Sequence, residues 1–383
     1  MKQTLPLGRV AGIPVRAHWS ALGIAALIVV LLGATVLPQA VPGYGQRQYW
    51  LVAVITGTLF MASLLTHEMA HALIAHRHGL RVGSITLWVL GGYTELQEEA
   101  KGPRIELATA VAGPLASLGI AAVTFLAYLF LPGSALAASA AAWLFTMNLM
   151  LGLFNLLPGA PLDGGRVLHA LLWWRFGDAI RADRAAARAG QILGTTLISF
   201  GLLATFLWNW LGGLWLAFLG WYIAASARQE LAVKLARAGL RGLLVREVMT
   251  PAPDMAPAWM NVEQLVEKVV LNSRQTVFPV VTLTGAPAGF VSLDTLAAVP
   301  TERRSSTRVG TLTTMQPPLR TIAPDEEATL LLEQVAQGQP IAAVVVDGDR
   351  LVGMVTGADL SRVLGQALLR TSASPRLADH DHV

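Results

Sequence analysis

The sequence predicts a polytopic α-helical membrane protein that ends in a soluble α/β domain. The long apolar runs all lie between residues 17 and 227, whereas residues 240–383 have the composition of ordinary soluble protein. The chain is 54% hydrophobic and only 14% charged, against about 25% charged in an average protein. Because a helix needs about 20 apolar residues to cross a bilayer, the first part predicts membrane spans.

Six apolar runs indicate six transmembrane helices. They lie at about 19–37, 49–75, 105–131, 137–157, 192–208 and 214–227. Lys and Arg residues flank these runs almost entirely on one side, since the segments on the other side hold only Arg47. Positive segments stay in the cytoplasm, so we expect a multi-pass protein of the inner (cytoplasmic) membrane with both termini cytoplasmic.

Residues 81–96 do not fit the pattern of the spans. This stretch is too short to cross the bilayer as a helix, and it mixes β-branched residues with Ser, Thr and Gly. It predicts one or two strands, or a re-entrant hairpin, as a short membrane-associated β element.

Composition also excludes some classes of site and partner. The chain has no cysteine, so structural disulfides and thiolate metal ligands are excluded, and His, Asp and Glu are the remaining metal ligands. The net charge is +4, without a basic cluster interleaved with aromatic residues, so we expect no nucleic-acid partner.

The second span contains an H-E-x-x-H motif, formed by His67, Glu68 and His71. Residues four apart share one face of a helix, so both imidazoles can bind one ion, and Glu68 can reach a water molecule on it as general base. Ionisable groups at mid-bilayer cost about 2.5–3.5 kcal/mol each, which favours a functional site. The alternative is that both histidines form hydrogen bonds between helices.

The motif lies within the membrane near its cytoplasmic face. His67 follows Trp50 by seventeen residues, or about 25 Å of helix, in a hydrocarbon core of about 30 Å. A catalytic zinc ion needs a third protein ligand, and Asp163 in the Pro/Gly-rich segment after span four is the best candidate. We expect irregular backbone around it. Glu95, Glu98 and Asp178 are weaker candidates.

Two ambiguities concern the end of span four. Asp163 can also be read as a helix cap or as the partner of Arg166 in an interfacial turn. Asn155 lies eight residues earlier, and its amide can donate a hydrogen bond to a developing oxyanion. Alternatively, Asn155 makes a hydrogen bond between helices.

The combination H-E-M-A-H in span two and N-L-L-P-G-A-P-L-D-G-G-R after span four resembles the site-2 protease family of intramembrane zinc metalloproteases. L-G-G-Y-T-E-L-Q and A-G-P-L match its prokaryotic branch, and the resemblance covers about residues 1–230. It implies that His67, His71 and Asp163 bind one Zn²⁺ per chain. It also implies that Glu68 is the general base and that Asn155 contacts the substrate or the oxyanion.

The resemblance implies a zinc endopeptidase that cleaves the transmembrane segments of single-span proteins, such as anti-sigma factors. Because a helical substrate hides its carbonyl groups, it must unwind, and residues 81–96 either hold it by strand addition or only shield the site from lipid. A different class of function is a membrane metal-ion transporter or channel with a cytoplasmic nucleotide-sensing gate. Glu68 beside His67 argues against it, because a transit site needs ligands and not an adjacent base.

The soluble part contains a repeat of about sixty residues, at 244–300 and 309–370. It resembles a tandem cystathionine-β-synthase-type (Bateman) regulatory module, in which Thr356 and Asp359 match positions that contact an adenine nucleotide. Such a module also implies a homodimer, and a purely structural dimerisation unit is the alternative. We expect a linker at 231–243 and a disordered tail at 371–383.

Overall fold

The computed structural model describes residues 4–88, 91–96, 100–130, 134–313, 321–331, 341–348 and 350–373. The chain divides into two compact units, Met1–Leu231 and Ala232–Val383. Apart from the helix Gly212–Leu240, which contains the boundary, each unit has its own elements, and each is described separately.

The first unit is mainly helical and has one small sheet. Its elements are, in order, β1 (Thr4–Val10), β2 (Ile13–His18), α1 (Trp19–Leu31), a π-helical turn (Leu32–Val36), α2 (Leu37–Ala40), α3 (Gln46–Arg77), β3 (Val82–Trp88), β4 (Gly91–Leu96), α4 (Pro103–Phe130), α5 (Ala135–Asn155), α6 (Asp163–Phe176), α7 (Ala179–Trp208) and α8 (Gly212–Leu240).

Five helical segments of the described chain are long and apolar enough to cross a membrane. They are Trp19–Ala40, α3, α4, α5 and α7. The predicted sixth span, 214–227, lies within α8, which is not one of them. The mean hydropathy of this segment is lowered by its aromatic residues Trp215, Trp221 and Tyr222. A charged residue, Arg228, follows it directly. A count of six spans therefore stays a prediction.

The first unit contains a four-stranded sheet in the order β1-β2-β3-β4. Strand β2 pairs in parallel with β3, whereas the β1–β2 and β3–β4 pairs are antiparallel. Strands β3 and β4 lie within residues 81–96, where the sequence predicts one or two strands. Strands β1 and β2 were not predicted, although the alternation of buried Ile13, Val15 and Ala17 is typical of a strand with one buried face.

Close packing between helices of the first unit depends on small residues. Gly113, Ser117 and Ala121 of α4 are all buried, and a Cβ atom on Gly152 of α5 would lie 3.2 Å from the carbonyl oxygen of Pro114. Short side chains let the backbones of α4 and α5 approach each other. Helix α4 continues through Pro114.

The second unit repeats one arrangement of three strands. Its elements are α9 (Val245–Val248), β5 (Thr250–Pro251), β6 (Ala256–Pro257), α10 (Val262–Lys268), a 3₁₀ turn (Val270–Asn272), β7 (Val277–Val281), β8 (Pro287–Ser292), α11 (Leu293–Ala297), α12 (Thr301–Arg304), α13 (Val309–Leu312), β9 (Thr321–Ile322), a 3₁₀ turn (Ala328–Leu331), β10 (Ile341–Asp347), β11 (Arg350–Thr356) and α14 (Gly357–Ala373).

In each copy a short strand pairs in parallel with the first strand of an antiparallel hairpin. These strands are β6, β7 and β8 in the first copy and β9, β10 and β11 in the second. Strand β5 precedes the first copy's strands in sequence but pairs with β11 of the second. The two copies therefore share hydrogen bonds as well as a pattern.

Two predicted boundaries differ from the structure. Residues 231–240 of the predicted linker are the end of α8, because this Ala- and Leu-rich segment favours a helix and its last residue, Leu240, is fully buried. Residues 371–373 of the predicted tail are the end of α14. The rest of that tail, residues 374–383, and most of the helix expected at 326–337 lie outside the described residues.

Candidate metal centre

Helix α3 supplies two histidine side chains to one buried point. His67 and His71 are one helical turn apart, and both are at least 95% buried. The Nε2 atoms of the two rings lie 3.3 Å apart. The two nitrogen atoms therefore lie close enough to bind one ion, as the spacing of the histidines in the sequence predicts.

Asp163 supplies the third ligand atom from the first residue of α6. Its Oδ2 atom lies 3.2 Å from Nε2 of His67 and 3.2 Å from Nε2 of His71. The structure thus joins the carboxylate to both histidines. Leu162 is the cap residue of α6, so Asp163 lies one position inside the helix.

The backbone around Asp163 is more regular than we expected. Irregular structure is confined to the loop before it, and Gly164 and Gly165 continue the helix. A Cβ atom on Gly164 would lie 2.3 Å from the carbonyl oxygen of Leu157, and one on Gly165 would lie 2.3 Å from the nitrogen of Ala160. The glycines therefore allow the loop to fold closely over the first turn of α6, and this packing outweighs their low helix propensity.

The spacing of the three ligand atoms fits a tetrahedral zinc ion. Ligands that lie about 2.0–2.1 Å from a tetrahedral ion are about 3.3 Å from one another. The three distances here are 3.2, 3.2 and 3.3 Å. Two nitrogens and one carboxylate oxygen are ligands that zinc accepts, and a set of three leaves the fourth position for water or substrate.

Hydrogen bonds on the far side of each ring orient the histidines. Nδ1 of His71 donates to the carbonyl oxygen of Thr109 at 2.7 Å, and Nδ1 of His67 lies 2.9 Å from Oγ of Ser117. Because a carbonyl only accepts, Nδ1 of His71 carries a proton and the neutral ring presents its Nε2 lone pair to a metal.

Gly113 of α4 lies directly beside the two ring nitrogens. A Cβ atom at this position would lie 2.2 Å from Nε2 of His71 and 2.7 Å from Nε2 of His67. These are close to metal–ligand distances, so even a methyl group would occupy the space that the ion needs. Helix α4 can pass the centre because residue 113 has no side chain.

Glu68 contacts the small sheet. Its Oε2 atom accepts a hydrogen bond of 3.0 Å from Oγ1 of Thr94 in β4. A Cβ atom on Gly92 would lie 2.4 Å from Cγ of Glu68. The carboxylate beside the histidine pair is thus in contact with the stretch 81–96.

Comparison with known proteins identifies the family. Residues 56–141 and 134–198 match peptidase family M50, and residues 309–366 match the CBS domain, the cystathionine-β-synthase type. A protein of Mycobacterium tuberculosis named as a zinc metalloprotease, Rip3, is 43% identical over 368 residues, which are 95% of this chain and 93% of the relative. The chain belongs to peptidase family M50.

One more distant relative of the M50 chain matches it over a similar length. A zinc metalloprotease of Methanocaldococcus jannaschii is 25% identical over 364 residues, which are 95% of this chain and 97% of that protein. Among solved structures, the site-2 protease from Methanocaldococcus jannaschii is 27% identical, covers 60% of this chain and 95% of its own, and has a TM-score of 0.41.

Family membership confirms the predicted enzyme class, a metallopeptidase of the site-2 protease type. With five apolar helices in its described part, this M50 protein is a membrane-embedded protease. The CBS domain predicted in the second copy of the repeat is also confirmed, over residues 309–366.

The remaining residues predicted for the M50 site lie in different environments. Asn155 is the last residue of α5, and its Nδ2 donates to the carbonyl oxygen of Leu151 at 3.1 Å. Glu95 accepts a hydrogen bond from Ser84, and Asp178 caps α7. Neither carboxylate belongs to the metal-ligand group, and Glu98 lies outside the described residues.

A second buried cluster was missed in the sequence. Nδ1 of His169 in α6 lies 2.8 Å from Oε2 of Glu106 in α4, and its Nε2 lies 3.3 Å from Oδ1 of Asp183 in α7. The Nε2 atom is also 3.2 Å from the carbonyl oxygen of Ala179. No signal in the sequence distinguished these three residues, because other charged residues such as Arg104 and Arg184 lie close to them in the chain.

The two residues predicted to contact a nucleotide bond to each other. Oδ2 of Asp359 accepts hydrogen bonds from the backbone nitrogen and from Oγ1 of Thr356, at 3.0 and 2.7 Å. Oδ1 accepts from Thr250 at 2.8 Å and from Arg362 at 3.0 Å. Burial acts to raise the pKa of Asp359, but these donors outweigh it and hold the pKa below its usual value.

Proposed function

We propose that this chain is a zinc-dependent intramembrane endopeptidase in which His67, His71 and Asp163 hold one Zn²⁺. The observation that supports it is the convergence of three ligand atoms within 4.8 Å of one another, next to Glu68, in a helix with the length and composition of a membrane span. A transit site for ions requires the ligands but gives no role to an adjacent carboxylate. An endopeptidase requires both.

In this proposal each residue has one task. Bound zinc supplies Lewis-acid chemistry at the open fourth position, where it favours ionisation of water and polarises the peptide carbonyl. Glu68 accepts the proton of the attacking water and returns it to the leaving amine. Asn155 donates to the oxyanion once its amide leaves the carbonyl oxygen of Leu151.

Strand β4 is the proposed place for the unwound substrate. Among the described residues β4 has one neighbouring strand, β3, and its other edge is available for strand addition. The contact between Thr94 and Glu68 puts that strand beside the general base. A strand that only shielded the site from lipid would have no need of this free edge.

The finer parts of the function are proposals of the same kind. We propose six spans in the inner membrane, with both termini cytoplasmic and with domains at about 1–230 and 244–370. The substrates are single-span membrane proteins such as anti-sigma factors. The C-terminal module regulates cleavage, forms a homodimer and binds an adenine nucleotide at Thr356 and Asp359. Because Asp359 already accepts four hydrogen bonds, the nucleotide must displace at least one donor.

The test of the catalytic proposal is Glu68→Gln with a single-span substrate in liposomes. The variant is expected to keep one zinc ion per chain and to lose cleavage, because the amide cannot accept the proton. Glu267→Gln is the matched control, since it makes the same change on the exposed face of α10 in the second unit. Cleavage by Glu68→Gln at the wild-type rate would contradict the proposal.

The regulatory proposal has its own measurement. ATP or AMP added to the full-length protein in liposomes is expected to change the rate of cleavage, and Asp359→Asn is expected to remove that response. A rate that neither nucleotide changes would leave the module with a structural role only.

A further inference from the structure

The hydroxyl group of Thr94 is placed to fix the carboxylate of Glu68. Its Oγ1 lies 3.0 Å from Oε2 of Glu68 and 3.3 Å from the backbone oxygen of the same residue. A hydroxyl has one proton to donate, and bonds to a charged acceptor are the stronger ones. The carboxylate is therefore the preferred acceptor.

The sheet holds Thr94 in this position. Thr94 pairs with Ile85 and Gly92 pairs with Leu87, so two buried residues of β3 lie beside the two residues of β4 that face Glu68, on the same face of the sheet. Gly92 and Thr94 are two apart and share one face of the strand. Along this face, Gly92 makes room for the Glu68 side chain and Thr94 binds its end.

A single fixed oxygen is sufficient to orient a general base. The glutamate side chain has several rotatable bonds, and a base must lie within hydrogen-bond reach of the proton that it removes. With Oε2 bonded to Thr94, the second carboxylate oxygen is the one that remains to accept a proton in the proposed reaction. Without this bond, the carboxylate samples other rotamers and spends less time in the productive one.

We propose that Thr94 is a positioning residue for Glu68, which ties the orientation of the general base to strand β4. The inference rests on the proposed function, because it assigns Glu68 the role of base. It adds a link between the strand beside the site and the proton-transfer step. In this proposal the hydroxyl group of Thr94 contacts neither substrate nor metal, whereas its backbone belongs to the strand proposed to hold the substrate.

Two substitutions at position 94 separate the hydroxyl from the shape of the side chain. Thr94→Val keeps the β-branched shape and strand preference but removes the donor, whereas Thr94→Ser keeps the donor and removes the methyl group. We expect kcat of Thr94→Val to fall by about 10–100-fold, the usual range for a lost supporting hydrogen bond. We expect KM to change by less than about threefold and Thr94→Ser to retain most of kcat.

Measurements other than activity check the state of both variants. Zinc content and zinc affinity, determined by competition with a chelator, are expected to match wild type, because Thr94 does not touch the three ligands. Hydrogen exchange of residues 82–96 is expected to be unchanged in Thr94→Val, because the sheet keeps a β-branched residue.

The opposite order of the variants would overturn the inference. If Thr94→Val is active and Thr94→Ser is not, the residue serves the strand and not the base. Equal kcat values in the two variants, whether normal or reduced, would also overturn it. Faster hydrogen exchange of residues 82–96 in Thr94→Val would do the same. The variant Glu68→Gln distinguishes this failure from failure of the proposed function. If Glu68→Gln is active, the proposed function is contradicted. If Glu68→Gln is inactive and Thr94→Val is active, only the role of Thr94 is contradicted.

Discussion

Helix α6 takes part in two buried clusters of histidine and carboxylate side chains that differ in geometry. At its first residue, Asp163 meets His67 and His71 of α3. Six residues later, His169 meets Glu106 of α4 and Asp183 of α7. Both clusters join side chains from separate helices, and both contain the residue types that bind zinc.

The difference lies in where the nitrogen lone pairs point. In the first cluster two different rings turn their Nε2 atoms toward one oxygen, with all three ligand atoms 3.2–3.3 Å apart. In the second cluster one ring is bonded on both sides, by Glu106 at Nδ1 and by Asp183 and the Ala179 carbonyl at Nε2. Because the Ala179 carbonyl only accepts, Nε2 carries a proton, and Nδ1 is already bonded to the Glu106 carboxyl group, so neither ring nitrogen of His169 faces an open position for a metal.

Burial and composition therefore do not identify a metal centre by themselves. Two further features indicate a candidate metal centre, namely lone pairs that converge on one point and space for the ion between them. At the first cluster Gly113 leaves that space. At the second cluster the ring nitrogens are already bonded to their partners. The geometry of the first cluster suits the proposed ion, and the second cluster connects three helices.

The largest expected effect comes from the same substitution made in each cluster. Asp163→Asn replaces the carboxylate ligand by an amide and is expected to lower zinc from one ion per chain to none and to abolish cleavage. Asp183→Asn is expected to retain one zinc ion, because Asp183 belongs to the other cluster. The zinc content and the cleavage rate of both variants are measured. Equal loss of zinc in Asp163→Asn and Asp183→Asn would contradict the prediction.

A methyl group at Gly113 is expected to have an effect almost as large. Gly113→Ala puts a carbon atom 2.2 Å from Nε2 of His71, so zinc binding and cleavage are both lost. Gly119→Ala is the control on the same helix, because a Cβ atom there meets nothing within 4 Å. Both substitutions raise helix propensity equally, so a stability effect of propensity cancels in the comparison. Normal zinc content in Gly113→Ala would mean that α4 lies farther from the ion than we infer.

The third test removes the ring of the second cluster. His169→Leu removes the hydrogen-bonding partner that Glu106 and Asp183 share, and loss of such a partner in the protein interior costs about 1–3 kcal/mol. The variant is expected to unfold at a lower temperature in detergent while still binding one zinc ion per chain before it unfolds. Loss of zinc without loss of thermal stability would contradict the structural role of this cluster.

The smallest effect concerns a carboxylate that has no histidine partner. Because hydrogen bonds hold the pKa of Asp359 below its value in the unfolded chain, its contribution to stability is present above about pH 4 and is lost as the pH falls through the lower, folded pKa. Asp359→Asn is expected to destabilise the second unit by about 1 kcal/mol at neutral pH and to remove this pH dependence. Hydrogen exchange of β11 in the full-length protein, measured between pH 7 and pH 3, follows the difference. Equal pH dependence in wild type and variant would contradict the assignment.

The sequence alone was sufficient to propose most of the candidate metal centre, because the information for it is local. His67, Glu68 and His71 lie within one turn of helix, and Asp163 stands out as an acidic residue beside the end of a span. The second cluster gave no such signal, since Glu106 and His169 are 63 residues apart and only packing brings them together. The role of Gly113 likewise depends on how closely α4 crosses α3.

The fold was predicted less completely for related reasons. Strands β1 and β2 lie in a basic segment that we interpreted only as a marker of topology. The first turn of α6 contains two glycines that disfavour a helix locally, and contact with the preceding loop outweighs that preference. The aromatic residues of α8 made its apolar character ambiguous. In each case the deciding interaction is tertiary.

The separation of the metal ligands along the chain has a consequence for biosynthesis. Asp163 follows His67 by 96 residues and His71 by 92. When α3 first enters the membrane, the growing chain holds only two of the three ligands, and the carboxylate arrives after α4 and α5 have been made. A two-histidine site binds zinc more weakly than the complete set, so full metal loading waits until α6 docks. In the proposed enzyme, cleavage of neighbouring chains is therefore excluded until α6 has been made and has docked.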